Sequence, residues 1–114
     1  MEDCLFCKIA AGEIPSNKVY EDDMVYAFYD IDPKAPVHIL IIPKKHIQSI
    51  LQVGEADFPY LQRMILVAQR IAAEKGIADE GFRLIFNTGK NGGQTVPHLH
   101  LHILGGRYME WPPG

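Results

Sequence analysis

From Pro97 to Leu104 the chain reads Pro-His-Leu-His-Leu-His-Ile-Leu, three histidines in strict alternation with aliphatic residues. In a strand, successive side chains point to opposite faces. His98, His100 and His102 would therefore line one face, while Leu99, Leu101 and Ile103 enter a core on the other. The segment calls for a sheet with one apolar side and one side that carries chemistry. Neighbouring imidazoles should stand roughly 6.5 Å apart along such a strand. An ordinary imidazole is substantially unprotonated at neutral pH, so each can serve as nucleophile, base or ligand. One histidine on a strand face needs no function, but three in alternation are hard to explain by packing. Two chemistries fit: attack on phosphorus, or ligation of a catalytic zinc with water in its open position.

The rest of the chain supplies the sheet and its cover. Asp3 can cap a short helix running toward Ala11, with Gly12 as a left-handed stop and Pro15 beyond it. Asn17 to Tyr20 and Met24 to Tyr29 are β-branched and aromatic around Glu21-Asp22-Asp23, which predicts a hairpin. Asp30 to Pro36 holds two prolines and reads as a loop; His38 to Pro43 follows as a buried strand closed by its proline. From about Asp57 to Lys75, Leu61, Met64, Ile65, Ala68, Ile71 and Ala72 recur at helical spacing. This is the one long amphipathic helix, with Pro59 in its first turn and Gly76 at its stop. Phe82 to Asn87 is a further strand, Thr88 to Thr95 a polar loop, and Pro97 to Leu104 the last strand. No repeat or linker interrupts the sequence, so residues 1–114 are expected to form one α+β domain. Its sheet should be antiparallel, of about five strands, covered by one long and one short helix.

Composition excludes several partners. A net charge of -3 without a basic stripe argues against nucleic acid. The strongly apolar runs fall far short of the roughly 20 residues that a spanning helix needs, so no membrane is expected. The start, Met1-Glu-Asp-Cys, is acidic where a secretory signal would be basic, which points to a cytoplasmic protein. Cys4 and Cys7, the only cysteines, have a spacing more common in metal or redox sites than in disulfides of secreted proteins. Gly89-Lys-Asn-Gly-Gly-Gln-Thr lets backbone amides approach an anion and offers no carboxylate of the kind magnesium would want.

Taken with its surroundings, Pro97-His-Leu-His-Leu-His-Ile-Leu-Gly-Gly resembles the His-x-His-x-His signature of the histidine triad family, and nearly the whole chain fits alongside. Cys-Leu-Phe-Cys-Lys-Ile, Ala35-Pro-Val-His, Ile42-Pro-Lys-Lys-His, Asn87, Gly92-Gly-Gln-Thr and the closing Gly105-Gly-Arg-Tyr-Met-Glu-Trp-Pro-Pro-Gly resemble its histidine triad nucleotide-binding branch. The third histidine of the row departs from the nucleotidyl-transferase branch, which has glutamine there. The resemblance implies the fold of that family and a purine nucleoside phosphoramidase that releases AMP through a covalent nucleotidyl-histidine, with no cofactor in catalysis. A hydrolase of dinucleotide polyphosphates is the alternative enzyme; a nucleotide-binding interaction module with incidental activity is the alternative of another class.

Carried over residue by residue, the resemblance makes His100 the nucleophile and gives His102 the phosphate. His38 would assist His100 by hydrogen bonding and proton relay. Asn87, Gly93, Gln94 and Thr95 would hold the phosphate and leaving group, with Thr95 keeping the hydroxyl of the serine usual there. Asp30 would bind the ribose hydroxyls; Leu5, Phe6, Ile9, Phe28 and Ile31 would form the base pocket. With those histidines assigned, His46 and His98 remain to complete a tetrahedral structural zinc with Cys4 and Cys7, as in members of the family that carry Cys-x-x-Cys at this place. The resemblance also implies a homodimer whose sheets join and whose C-terminal segments reach toward the partner's active site, with Trp111 as anchor.

Overall fold

Val37 to Ile42 is aliphatic at every position but His38, the composition of a strand buried on both faces, and it lies at the centre of the molecule. The structure is a computed structural model that describes residues 3–114. Its helices are α1 (Leu5–Ala10) and α2 (Phe58–Glu74); its strands are β1 (Lys18–Glu21), β2 (Val25–Tyr29), β3 (Val37–Pro43), β4 (Phe82–Phe86) and β5 (Leu101–Gly105). Single 3-10 turns at Ile50–Gln52 and Glu55–Asp57 lead into α2. The strands form one sheet in the order β1-β2-β3-β5-β4, antiparallel at every pairing. The protein is thus α+β, as its pattern predicts.

Alternation sorts the core into two layers. Val25, Ala27, Ile39, Ile41, Leu99, Leu101 and Ile103 face α2 and pack on Met64, Val67, Ala68, Ile71 and Ala72. Tyr26, Phe28, Leu40 and Ile42 face the other way, toward Phe6 and Ile9 of α1. The three histidines share this second face, so α1 and the chemistry lie together and α2 lies behind them. Pro59 occupies the first turn of α2, and Gly76 (φ 73°) takes the left-handed conformation just after it.

Two expected boundaries move. Cys4, not Asp3, caps α1: its Sγ accepts the Cys7 N–H at 3.3 Å, so a thiol does the work expected of a carboxylate. The last strand pairs only from Leu101, because the preceding amides are engaged elsewhere. His98 N–H donates to the Val96 carbonyl at 2.8 Å and Leu99 N–H to the Ile47 carbonyl at 2.7 Å. Alternation nevertheless continues through them, with Leu99 still in the α2 layer.

The hairpin turn before β2 is tied to α2 by Asp22. One carboxylate oxygen accepts the Met24 and Val25 amides, and the other accepts Arg63 Nε at 2.6 Å and the Tyr20 hydroxyl at 2.9 Å. Burial pushes its pKa up, but those donors outweigh burial and hold it at about 2. The two edges of the sheet differ. β1 carries a bulge between Lys18 and Tyr20, and its Glu21 pairs with Lys18 and Lys44. β4 pairs regularly with β5 and leaves Phe82 and Leu84 about one-third exposed. Among the described residues, no helix is long and apolar enough to cross a membrane.

Candidate functional site

The row of imidazoles is divided by Phe6. Its ring stands edge-on to His98 (centroids 6.0 Å apart) and to His100 (5.0 Å). On one side His100 lies 5.0 Å from His102, closer than an ideal strand would put it, and His102 lies 5.2 Å from His38. On the other, His98 lies 5.0 Å from His46 and beside the two cysteines. Residues distant in sequence therefore make two sites that share a wall.

Backbone groups settle which nitrogen of each catalytic candidate carries a proton. His100 Nδ1 is 2.7 Å from the His98 carbonyl oxygen. A carbonyl only accepts, so Nδ1 holds the proton and Nε2 keeps a free lone pair. His38 Nδ1 accepts the Lys34 backbone N–H at 3.0 Å, which places the His38 proton on Nε2. That nitrogen lies 2.9 Å from His102 Nδ1 and donates to it, so His102 carries its own proton on Nε2. Among the described residues, His102 Nε2 is the one buried side-chain polar atom without a hydrogen-bond partner. His38 thus meets His102, where the resemblance put it on His100; the Lys34 amide and β3 register, with Leu40 opposite His102, bring it there.

Burial lowers the pKa of His38, and burial joined by the neighbouring His100 and His38 takes His102 down to about 4. The folded protein therefore binds fewer protons than the unfolded chain once pH falls below the ordinary histidine value of roughly 6.5. Stability present above that value is expected to fall as pH drops toward about 4. Thermal melting from pH 7 to 4.5 should show a steeper decline for the native chain than for His102→Asn; equal slopes would remove His102 from the account.

Beside His100 and His102 lies a cavity of about 310 Å³ lined by Leu5, Phe6, Ile9, Phe28, Asp30, Ile31, Leu40, Thr95 and Val96. That volume lies at the small end of the roughly 300–1,000 Å³ typical of small-ligand sites. Seven of these nine are residues expected from the sequence. Leu40 and Val96 were missed, although Leu40 is two residues from His38 on the same strand face. Phe6 and Phe28 meet edge to face at 5.5 Å and build the apolar end. Asp30 lies at the other end, one oxygen accepting the Asp32 amide at 2.8 Å and the other 3.4 Å from His38 Nε2.

The glycine-rich loop is only partly at this cavity. Thr95 lines it, whereas Asn87 and Gly93 do not. Gln94 braces the loop. Its Nε2 donates to the Gln48 and Val96 carbonyls at 2.8 and 3.0 Å, and its Oε1 accepts the Gly89 amide at 3.1 Å. Gly92 has no room for a side chain, because a Cβ would collide with the Thr88 backbone.

Across the Phe6 wall, Cys4 Sγ, Cys7 Sγ, His46 Nδ1 and His98 Nδ1 lie within 4.8 Å of one another. Individual separations are 3.1 Å for Cys4–His98, 3.4 Å for Cys7–His46, 3.5 Å for Cys7–His98 and 3.2 Å for His46–His98. Bonds of about 2.3 Å to sulfur and 2.0–2.1 Å to nitrogen in a tetrahedron require S···N of about 3.5 Å and N···N of about 3.3 Å. The four donors fit zinc with little movement. His98 is fully buried, and its Nε2–H donates to the Pro43 carbonyl at 2.9 Å, which leaves Nδ1 as the ligand atom. Burial, then the neighbouring Cys4 sulfur, pushes the Cys7 thiol up to about 11, an opposition that a divalent cation would reverse. The other reading of the row, a catalytic zinc on all three histidines, loses its basis here: His98 faces the cysteines, away from His102.

Comparison with known proteins follows this geometry. The family model described as HIT domain matches residues 11–109, most of the chain. The chain belongs to the HIT family. The HIT protein is 53% identical over 106 residues to a purine nucleoside phosphoramidase of Escherichia coli, covering 93% of this chain and 89% of the relative. It is 50% identical to an uncharacterized HIT-like protein of Synechococcus elongatus, covering 99% and 98% of the two chains. A solved HIT family hydrolase from Legionella pneumophila superposes with a TM-score of 0.97 at 53% identity, covering 98% of this HIT protein and all of that chain.

Proposed function

We propose that this HIT protein is a hydrolase that releases AMP or a related purine nucleotide from phosphoramidates by attack of His100 on phosphorus. The observation that carries the reading is the His98 carbonyl on His100 Nδ1, which leaves a bare Nε2 beside an apolar-ended cavity. The E. coli relative's name supports the substrate class.

The residues divide the work as follows. The purine stacks in the pocket of Leu5, Phe6, Ile9, Phe28 and Ile31, and Asp30 accepts from the ribose hydroxyls. His102 Nε2–H, the buried donor without a partner, binds a phosphoryl oxygen. Thr95 at the cavity, with Asn87 and Gly93 farther along the same connection, holds the phosphate and leaving group. His100 Nε2 forms a bond to phosphorus while the phosphorus–nitrogen bond breaks. The amine leaves with one added proton taken up from solvent, while the His102 Nε2–H stays on the phosphoryl oxygen. Water then displaces His100, giving AMP and returning the proton, so one water is consumed overall. His38 holds His102 in the tautomer that this sequence needs.

Turnover of adenosine 5'-monophosphoramidate, followed as AMP released, tests the reading. Hydrolysis confined to dinucleotide polyphosphates would replace the amine by a phosphate leaving group. Binding of AMP without any turnover would make the chain a binding module.

The Cys4, Cys7, His46 and His98 cluster holds a structural zinc in this reading, tying α1 to the sheet; catalysis itself uses no cofactor. The protein works as a homodimer. The open edge of β4 and the C-terminal Tyr108 and Trp111, 84% and 80% exposed, support this assembly. Light scattering at micromolar concentration should give twice the monomer mass of 12.8 kDa; a monomer there would contradict it.

A further inference from the structure

The loop between β2 and β3 sets the direction of Asp30, yet little within that loop holds it in place. We propose that Arg107 is a positioning residue for nucleotide binding: it seats residues 31–36 against the end of β5 and so aims the Asp30 carboxylate. The inference rests on the nucleotide reading above and goes beyond it, since Arg107 does not line the cavity.

The internal supports of the loop are weak. Ile31 to Lys34 and Pro36 are exposed, Ile31 at 96%, so no buried side chain among them anchors it. The ion pair of Lys34 with Asp32 is exposed on both sides, where such pairs contribute little. The Asp30 amide is fixed, donating to the His38 carbonyl at 3.0 Å. The direction of its carboxylate depends on the loop. One oxygen accepts the Asp32 amide at 2.8 Å, while the other stands 3.4 Å from His38 Nε2, too far for a strong hydrogen bond.

What reaches the loop from outside is Arg107. Its Nε donates to the Lys34 carbonyl at 3.0 Å, and its Nη1 to the Tyr108 carbonyl at 3.1 Å. Among the described residues, the first of these is the one hydrogen bond that residues 31–36 receive from beyond the β2–β3 segment. Lys34 is thus held on both sides, its amide on His38 Nδ1 and its carbonyl on Arg107. Backbone packing makes the same junction. Gly105 lies opposite Val37 in the ladder, so residues 106 and 107 leave β5 where the loop enters β3. Gly106 (φ 91°) then sits so close to Pro36 that a Cβ would stand 2.9 Å from the proline Cβ. Loss of the guanidinium frees the Lys34 carbonyl, the loop shifts, and Asp30 no longer faces the ribose hydroxyls. The base pocket keeps Leu5, Phe6, Ile9 and Phe28, none of them on the loop. The loss therefore falls on a nucleotide that carries those hydroxyls.

Calorimetric titration of AMP and of 2',3'-dideoxy-AMP into the full chain tests this without relying on turnover. Arg107→Ala should weaken AMP about tenfold and the dideoxy nucleotide less than about twofold, so that the native preference for the hydroxyls is lost. Arg107→Lys, which keeps one donor and the charge, should show the same pattern to a smaller degree. Arg83→Ala frees the C-terminal segment at the Glu110 carbonyl without touching the loop, and should bind both nucleotides as the native chain does. Equal weakening of both nucleotides, an equal effect of Arg83→Ala, or no change in Arg107→Ala overturns the positioning role alone. A native chain that binds both nucleotides alike removes Asp30 from the ribose, and the positioning role with it. A native chain that binds neither overturns the nucleotide reading and the positioning role together.

Discussion

His100→Ala should abolish AMP release, by at least roughly a thousandfold in kcat, while the affinity for AMP changes little. The imidazole of His100 is the one group in the site with a lone pair both free and fixed: its Nδ1 is occupied by the His98 carbonyl, so only Nε2 can attack. His38 cannot substitute, because its unprotonated nitrogen is turned to the Lys34 amide, and that of His102 is turned to His38. The cavity, by contrast, keeps Leu5, Phe28, Asp30 and Thr95 when the ring is removed, so ground-state binding survives. Quench-flow with labelled substrate should trap nucleotide on the native chain and none on the variant. Turnover undiminished in His100→Ala would sink the mechanism. His102→Ala should keep trapping nucleotide, more slowly, since it loses a donor to phosphate rather than the attacking atom.

Removal of zinc should lower the melting temperature by at least about 10 °C, the second large effect. An ion that binds the folded but not the unfolded chain adds its binding free energy to stability, and four donors already at 3.1 to 3.5 Å need little rearrangement to bind it. α1 has only six residues, too few to be stable alone, and its hold on the sheet is Phe6, Ile9 and this cluster. Cys4→Ser removes a ligand while its hydroxyl can still accept the Cys7 amide and cap α1, so it should cost about as much as chelation. Metal analysis after purification without chelator, with melting curves before and after a strong chelator, decides the point. A small fraction of an equivalent of zinc and an unchanged curve would refute it.

The sequence made the fold legible because its strongest signals are periodic. Alternation from Leu99 to Ile103 and three- and four-residue spacing from Leu61 to Ala72 each have one geometric solution, and the two layers follow from them. Exact strand ends were not legible, since they depend on which distant carbonyl takes an amide: Ile47 takes that of Leu99 and so delays β5. Side-chain chemistry was legible for the same reason as the fold, through residue type and face. Leu5, Phe6, Ile9, Phe28, Asp30, Ile31 and Thr95 do line one cavity, and the cysteines do meet His46 and His98. The groups that set each imidazole's proton are the Lys34 amide and the His98 carbonyl, and that which aims His98 is the Pro43 carbonyl. Every residue has such groups, so no pattern of side chains marks them. The bracing role of Gln94 was illegible for a related reason: an amide beside glycines suits an anion or a backbone equally, and its three backbone partners come from the fold.

The unlike edges of the sheet limit how the molecule can grow. At β1 the bulge and the charged cluster of Glu21, Lys18 and Lys44 leave a stretch that a further strand cannot follow in register. At β4 the ladder is regular and flanked by Phe82 and Leu84. Such a sheet has a valency of one. Whatever adds to β4 must end with a capped edge of its own, and a second copy does so automatically, because its far side is again β1. Association through this edge would close at two subunits, and the bulge in β1 would then end the joined sheet at both sides.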